Sequence, residues 1–182
     1  MISAIIACDI DGGIGRDGTL PWPKISEDLK RFRELTTNSV VIMGRKTWDD
    51  PAMPKPLPRR INVIVTSRDD ITPYTVPVMG EGVITATGDS EIILRTIQES
   101  YRYRNIYVIG GASLFEQCLP YIDRILLTRV HKSFDCDQFI NYNKVRQTFT
   151  KLASLNTVNI EINGHSTAVE FMELRRPHAT IS

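Results

Sequence analysis

The sequence predicts an α/β domain organised on a mainly parallel sheet. Three observations predict it: apolar, β-branched runs that recur along the chain, helix-like segments that separate them, and an Asn163-Gly164 dipeptide between two long stretches near the end. The runs are ISAIIAC (2–8), SVVIM (39–43), INVIVTS (61–67), GVITAT (82–87), NIYVIG (105–110) and RILLTRV (124–130). Several are apolar at consecutive positions instead of alternating, which suits strands buried on both faces of a parallel sheet.

The helices fall between these runs. SEDLKRFRELT begins with Ser26 as its cap, and RKTWDD follows Gly44. DSEIILRTIQESYR begins with Asp89 or Ser90 as its cap, and ASLFEQCL ends at Pro120. Strands alternating with helices imply right-handed crossovers. The end of the chain changes character: TKLASLNTVNIEI and HSTAVEFMEL flank Asn163-Gly164, a pair suited to a two-residue hairpin turn. An antiparallel hairpin is therefore expected at one edge of the sheet. Residues 1–176 read as a single domain, and 177–182 as a flexible tail.

Composition narrows the function classes. The chain has 182 residues, enough for one domain with a real core, and carries 42% apolar and 24% charged residues with a formal net charge of +1. No basic run or face marks a nucleic-acid or membrane-surface partner. No apolar run reaches the roughly 18 residues of a membrane helix. The beginning, MISAIIAC, reads as a strand and lacks the pattern of a signal peptide. Cys8, Cys118 and Cys136 fit no zinc spacing, and an odd count without CxxC suits a reduced, cytoplasmic setting. The segment DIDGGIGRDG (9–18) fails as a calcium loop, with Ile14 at the required glycine and Leu20 at the final acid. No metal is expected.

The stretch LPWPKISEDLKRF (20–32) holds two adjacent acids, Glu27 and Asp28. On a helical wheel with Leu29 at the origin, Phe32 and Leu35 lie at about 300° and 240°, and Asp28 at about 260° between them. Glu27 lies at about 160°, with Lys30, Arg31 and Glu34 on the solvated side. Asp28 therefore points where the apolar face points. A first-turn acid serves the helix dipole and free N–H groups. A carboxylate on the floor of an apolar cleft would instead hold a cationic or amidine-like ligand edge with a raised pKa. The wheel leaves both readings open.

Strand ends supply further chemistry. Gly44 is followed by Arg45, Lys46 and Thr47; INVIV is followed by Thr66, Ser67 and Arg68; NIYVI is followed by Gly110, Gly111, Ala112 and Ser113. Ligands of open α/β sheets bind outside the carboxyl ends of strands, where helix starts favour phosphate and glycine lets backbone approach. There is no GxGxxG. Jointly these ends suggest a ligand with several phosphates, one of them on a ribose held by Arg45, Ser67 and Arg68, which favours NADP over NAD.

The motifs IDGGIGRDGTLPW (10–22), VIMGRKTW (41–48), PLPRRINVIVTSR (56–68), VIGGASLFEQCLP (108–120), LLTRV (126–130) and VEFMELRR (169–176), in that order, resemble dihydrofolate reductase. The resemblance runs from residue 1 to about 176 and implies an eight-stranded, mostly parallel sheet with an antiparallel C-terminal strand and about four helices. It implies reduction of 7,8-dihydrofolate to tetrahydrofolate, with hydride passing from nicotinamide C4 of NADPH to pterin C6. Asp28 matches the acid that holds the pterin and promotes N5 protonation through water, Trp22 a tryptophan that positions that water, and Thr128 a hydroxyl bonded to the acid. Leu20 and Ile14 fall in a mobile loop over the nicotinamide, and Asp137 matches an acid in the loop that contacts it.

Ile5, Ala7, Leu29, Phe32, Met53 and Ile109 match substrate contacts, and Arg60 matches the arginine that grips the glutamate carboxylate. Ala7, Ile14, Gly44, Arg45, Lys46, Thr47, Thr66, Ser67 and Arg68 match cofactor contacts, as do Ile109, Gly110, Gly111, Ala112, Ser113, Leu114 and Phe115. The resemblance further implies a cytoplasmic monomer, without nucleic-acid or membrane partners, that binds antifolates such as methotrexate or trimethoprim.

Departures from the family pattern are Ser113 in place of a cation, Phe115 in place of a tyrosine, Arg59 in place of a common turn residue, and a long DDPAMPKPLPRR segment. Two rival readings share parts of this pattern. A pyrimidine reductase of riboflavin synthesis would share fold and cofactor, but Asp28, Trp22 and Arg60 favour folate. A catalytically silent structural relative would not need those residues together with Thr128.

Overall fold

The computed structural model describes residues 1–67 and 81–177. In chain order the first elements are β1 (Ile2–Cys8), β2 (Gly13–Gly15), α1 (Ser26–Thr36), β3 (Val40–Gly44) and α2 (Arg45–Asp49). Next come β4 (Ile61–Val65), β5 (Gly82–Ala86), α3 (Ser90–Ser100), β6 (Ile106–Val108) and α4 (Ala112–Cys118), which a 3-10 turn, Leu119–Tyr121, prolongs across Pro120. The last are β7 (Arg124–Val130), β8 (Gln138–Phe139), α5 (Tyr142–Thr148), β9 (Thr150–Ile162) and β10 (His165–Arg175).

The main sheet has eight strands in the order β5-β4-β3-β6-β1-β7-β10-β9. Pairs from β5 through β7 are parallel, and β10 runs antiparallel to both β7 and β9. The runs apolar at consecutive positions are the central strands. Val40, Val41, Ile42 and Met43 are all fully buried, because helices and loops cover both faces. One core layer joins Leu94 of α3, Phe115 of α4 and Val145 of α5 to the sheet; the other joins Val41, Met43 and Ile64 to Leu57, with Phe32 and Trp48 packed against it.

Strand order reverses around β6, which sits between β1 and β3. That is the topological switch point, where the carboxyl ends of an open sheet leave a crevice. The hairpin forms as expected: Asn163 and Gly164 have φ of 53° and 76°, and Ile162 pairs with His165.

Several elements differ from the sequence expectation. Ser26 does not cap α1; Ile25 occupies the cap position and no side chain bonds there. Ile25 is buried with Trp22, Val130 and Phe171, so apolar anchoring fixes where this helix starts. Of the two candidates at α3, Asp89 is the cap, accepting from the N–H groups of Glu91 and Ile92. A fifth helix, α5, follows Asn141, whose side chain accepts from Lys144 N at 2.9 Å. A second small sheet pairs β2 with β8. The part of the tail at 178–182 lies outside the described residues.

Candidate active site

Helix α1 delivers Asp28 to the sheet. Thr128 Oγ1, on the buried middle of β7 beside Ala7 of β1, donates to Asp28 Oδ1 at 2.6 Å. The two residues stand 100 positions apart, and the crossover topology alone brings them together. Burial raises the Asp28 carboxyl above its ordinary range, while the Thr128 hydrogen bond and the Arg31 guanidinium pull it back. Glu27 is exposed, as its place on the wheel requires.

Arg31 is not on the solvated side. It is half-buried, its Nη1 donates to Thr128 Oγ1 at 3.4 Å, and its guanidinium lies 5.2 Å from the Phe171 ring centroid. A helical position at the edge of the apolar arc sends a long side chain either way, and here the chain folds back over β7 and β10.

The cleft around Asp28 has a volume of about 990 Å³ and follows the switch point. Its apolar end combines Ile5, Ile6 and Ala7 of β1 with Leu29, Phe32, Met53 and Ile109. Leu29 is 41% exposed because the cleft is open above it. Its polar end collects the carboxyl termini of β3, β4 and β6: Gly44, Arg45, Lys46 and Thr47; Thr66 and Ser67; and Gly110, Gly111, Ala112, Ser113 and Leu114. Gly110 has φ of 115°, a backbone region that side-chain-bearing residues rarely adopt. A Cβ on Gly111 would stand 3.4 Å from Thr47 Oγ1, so bare backbone forms this wall. Arg45 Nε contacts Asp49 Oδ2 at 2.7 Å, and Ser113 Oγ accepts from Gln117 Nε2 at 3.0 Å. Arg68 lies outside the described residues.

The segment from Ile14 to Leu20 forms the rim between the two ends, with Leu20 44% exposed. Asp17 N donates to Asp137 Oδ2 at 2.9 Å, and Arg16 Nη1 meets Asp135 Oδ1 at 2.8 Å. Beneath it, buried Asp9 accepts from the N–H groups of Asp11, Gly13 and Phe134. Asp9 therefore organises its own loop, a role for the calcium-like spacing that needs no cation.

Four expected residues stand behind the cleft wall and do not line it: Thr128, buried beneath Asp28, and Trp22, Phe115 and Arg60. Trp22 is buried against Phe134, ring centroids 5.7 Å apart, beside Ile25 and Phe171. Phe115 is only 1% exposed and packs into the core under α4, so a residue one turn from the glycine pair faces away from the ligand side. Arg60 is also buried; its Nε donates to Thr36 Oγ1 at 2.8 Å, its Nη1 to Pro58 O at 2.6 Å, and its guanidinium lies 5.8 Å from the Phe32 ring centroid. Its Nη2 donates to Arg33 O at 3.4 Å, which leaves one N–H on each terminal nitrogen of the guanidinium beside Phe32.

Sequence reasoning missed other lining residues: Asp49, Asp50, Gln117 and Gln138. Gln117 carried a signal, because it lies four residues after Ser113 on the same helix face. In a separate hollow of about 190 Å³, Glu91 is paired with both Arg95 and Tyr121. Among the described residues no cluster of three or more His, Cys, Asp or Glu could hold a metal, and no helix is long and apolar enough to cross a membrane.

Comparison with known proteins identifies the relatives. The family model for dihydrofolate reductase matches residues 1–176. The dihydrofolate reductase of Bacillus subtilis (strain 168) is 36% identical over 138 residues, covering 76% of this chain and 74% of that protein. That of Pneumocystis carinii is 33% identical over 156 residues, covering 76% and 72%. A solved structure of dihydrofolate reductase from Enterococcus faecalis, complexed with NADP(H) and RAB-propyl, is similar with a TM-score of 0.71. It is 29% identical, and the match covers 97% of this chain and 96% of that one.

Proposed function

The chain belongs to the dihydrofolate reductase family and reduces dihydrofolate with NADPH; from that premise we propose how its own residues divide the work. The observation that carries the proposal is Asp28: a carboxylate with raised proton affinity, held by Thr128 in the wall it shares with Ile5, Leu29 and Phe32. The 2-amino and N3 edge of a pterin offers two parallel donors, which a carboxylate accepts as a pair. Leu29 and Phe32 flank the rings and the benzoyl extension. Arg60, backed by Thr36 and Pro58, turns its remaining donors to the glutamate carboxylate.

The polar end suits NADPH. Glycine backbone at Gly110-Gly111 lets a pyrophosphate approach, and Arg45, Lys46, Thr47 and Ser67 supply cations and hydroxyls for the phosphates. Bound there, NADPH supplies the hydride. The chain aligns the pterin C6 towards the donor, keeps bulk water out, and brings a proton to N5. Asp28 raises the proton affinity of the bound pterin, and water admitted beside Leu20 delivers the proton. Thr128 and Trp22 are positioning residues in this scheme. Asp137, through Asp17 N, steadies the rim loop as it closes.

A monomer is the proposed working unit. Three free thiols support a reducing, cytoplasmic setting. Antifolates such as methotrexate or trimethoprim, which present a diamino edge, fit the same carboxylate. The purified protein is expected to consume NADPH only when dihydrofolate is added. Consumption without dihydrofolate, or none with it, would overturn the reading.

A further inference from the structure

Arg31 is the group at this site that the pterin and cofactor roles do not use. It lies behind the cleft wall, one helical turn after Asp28, and is not among the residues lining the cleft. Its Nη1 reaches Thr128 Oγ1, the same hydroxyl that donates to Asp28 Oδ1. Its Nη2 is buried and makes no hydrogen bond among the described residues.

The charges around it are already engaged. Glu173 of β10 acts on Arg31 but pairs with Arg175, Nε to Oε1 at 2.9 Å. Arg124 of β7 opposes Arg31 and bonds Ser3 at 3.2 Å. From the remaining strand face Phe171 offers only its ring. Asp28 is the acid that acts most strongly on the guanidinium. An apolar side chain over Phe171 would pack there without the desolvation that a buried cation suffers. A guanidinium is charged at every working pH. Here it sets a fixed positive charge beside the Asp28–Thr128 pair.

We propose that Arg31 is a positioning residue for the reduction, acting through Thr128 to fix the Asp28 carboxylate and to oppose protonation of the site. The inference rests on Asp28 serving the bound pterin. The Thr128 hydroxyl, receiving from Arg31, turns its own proton to Asp28 Oδ1, and the remaining lone pairs of both carboxylate oxygens stay free to accept the two donors of the ligand edge. The positive charge behind the pair counters the burial that raises Asp28, so the site gives up its proton at lower pH than it would otherwise. It also disfavours any ligand that must carry a proton to bind.

Hydride transfer is fast while the site holds its proton and slows as pH rises past its apparent pKa. Removing the charge moves that fall to higher pH. The test is the pH profile of single-turnover hydride transfer in the wild-type enzyme and in Arg31→Met, Arg31→Gln and Arg31→Lys. Both neutral variants are expected to shift the falling limb up by about one pH unit, roughly a tenfold faster step on that limb, while Arg31→Lys keeps it near the wild-type position. The affinity of both neutral variants for protonated 2,4-diaminopyrimidine should rise by a similar factor. Uniformly lower rates with an unmoved limb would overturn the proposal, as would loss of folding in both neutral variants when Arg31→Lys folds. A wild-type protein that consumes no NADPH with dihydrofolate would instead defeat the reading beneath it. The diaminopyrimidine measurement then still reports on the charge.

Discussion

At one end of the cleft, α1 presents a half-buried carboxylate, Asp28, in a wall shared with Ile5, Leu29 and Phe32. At the other, the carboxyl ends of β3, β4 and β6 present Lys46 and Ser67 at the surface and Arg45 half-buried, above the bare backbone of Gly110 and Gly111. The first end places few charges where water is scarce, so each is strongly felt and its proton affinity shifts. The second spreads cations and hydroxyls in water, where each contributes modestly and recognition comes from their number and from close backbone approach. Chemistry that depends on a proton belongs to the first end. Grip on a multiply charged ligand belongs to the second.

Substitutions should separate the two. Arg45→Ala removes one cation from the polar end, and KM for NADPH is expected to rise by roughly 10- to 100-fold, the worth of a charged hydrogen bond, with kcat little changed. NADH, lacking the ribose phosphate, should lose far less. An equal loss for both coenzymes would break the comparison by showing that Arg45 does not read the phosphate.

A smaller effect concerns stability. Burial raises the Asp28 carboxyl in the folded chain, so the folded state binds that proton more tightly than the unfolded one. Stability is therefore lost as pH rises from the unfolded value of about 3.9 through the raised folded value, and stays lost above it. Asp28→Asn removes the penalty. It should melt higher than the wild type at neutral pH, by about 2–4 °C for each kcal/mol released, and the gap should close on acidification below the unfolded value. Thermal melts across pH measure this; a mutant less stable at neutral pH than in acid, relative to the wild type, would contradict the assigned environment.

Much of this contrast was legible in the sequence, for identifiable reasons. Consecutive apolar residues such as VVIM in β3 have one simple solution, burial on both faces, so the central strands could be read directly. Asp28 stood out because a short polar side chain cannot leave the face its helical position assigns. Arg31 escaped the same wheel because its length lets it cross the boundary. Short elements stayed hidden as well: β2 and β8, of three and two residues, hold their places through Asp9 and the loop they share. Helix α5 buries only Val145, too little apolar periodicity to read, although Asn141 advertised its cap. Trp22 and Phe115 show the converse limit. A place in a motif gives nearness to a site, and only packing decides whether a side chain lines it or supports it.

The central claim is that one carboxylate at the apolar end governs protonation of the bound substrate. Single-turnover hydride transfer, followed across pH in the wild-type enzyme and in Asp28→Asn, tests it most directly. The wild-type rate should fall as pH rises past the apparent pKa of the site, while Asp28→Asn should be at least about 100-fold slower at neutral pH, with NADPH affinity nearly unchanged. A mutant as fast as the wild type, with the same fall at the same pH, would contradict it.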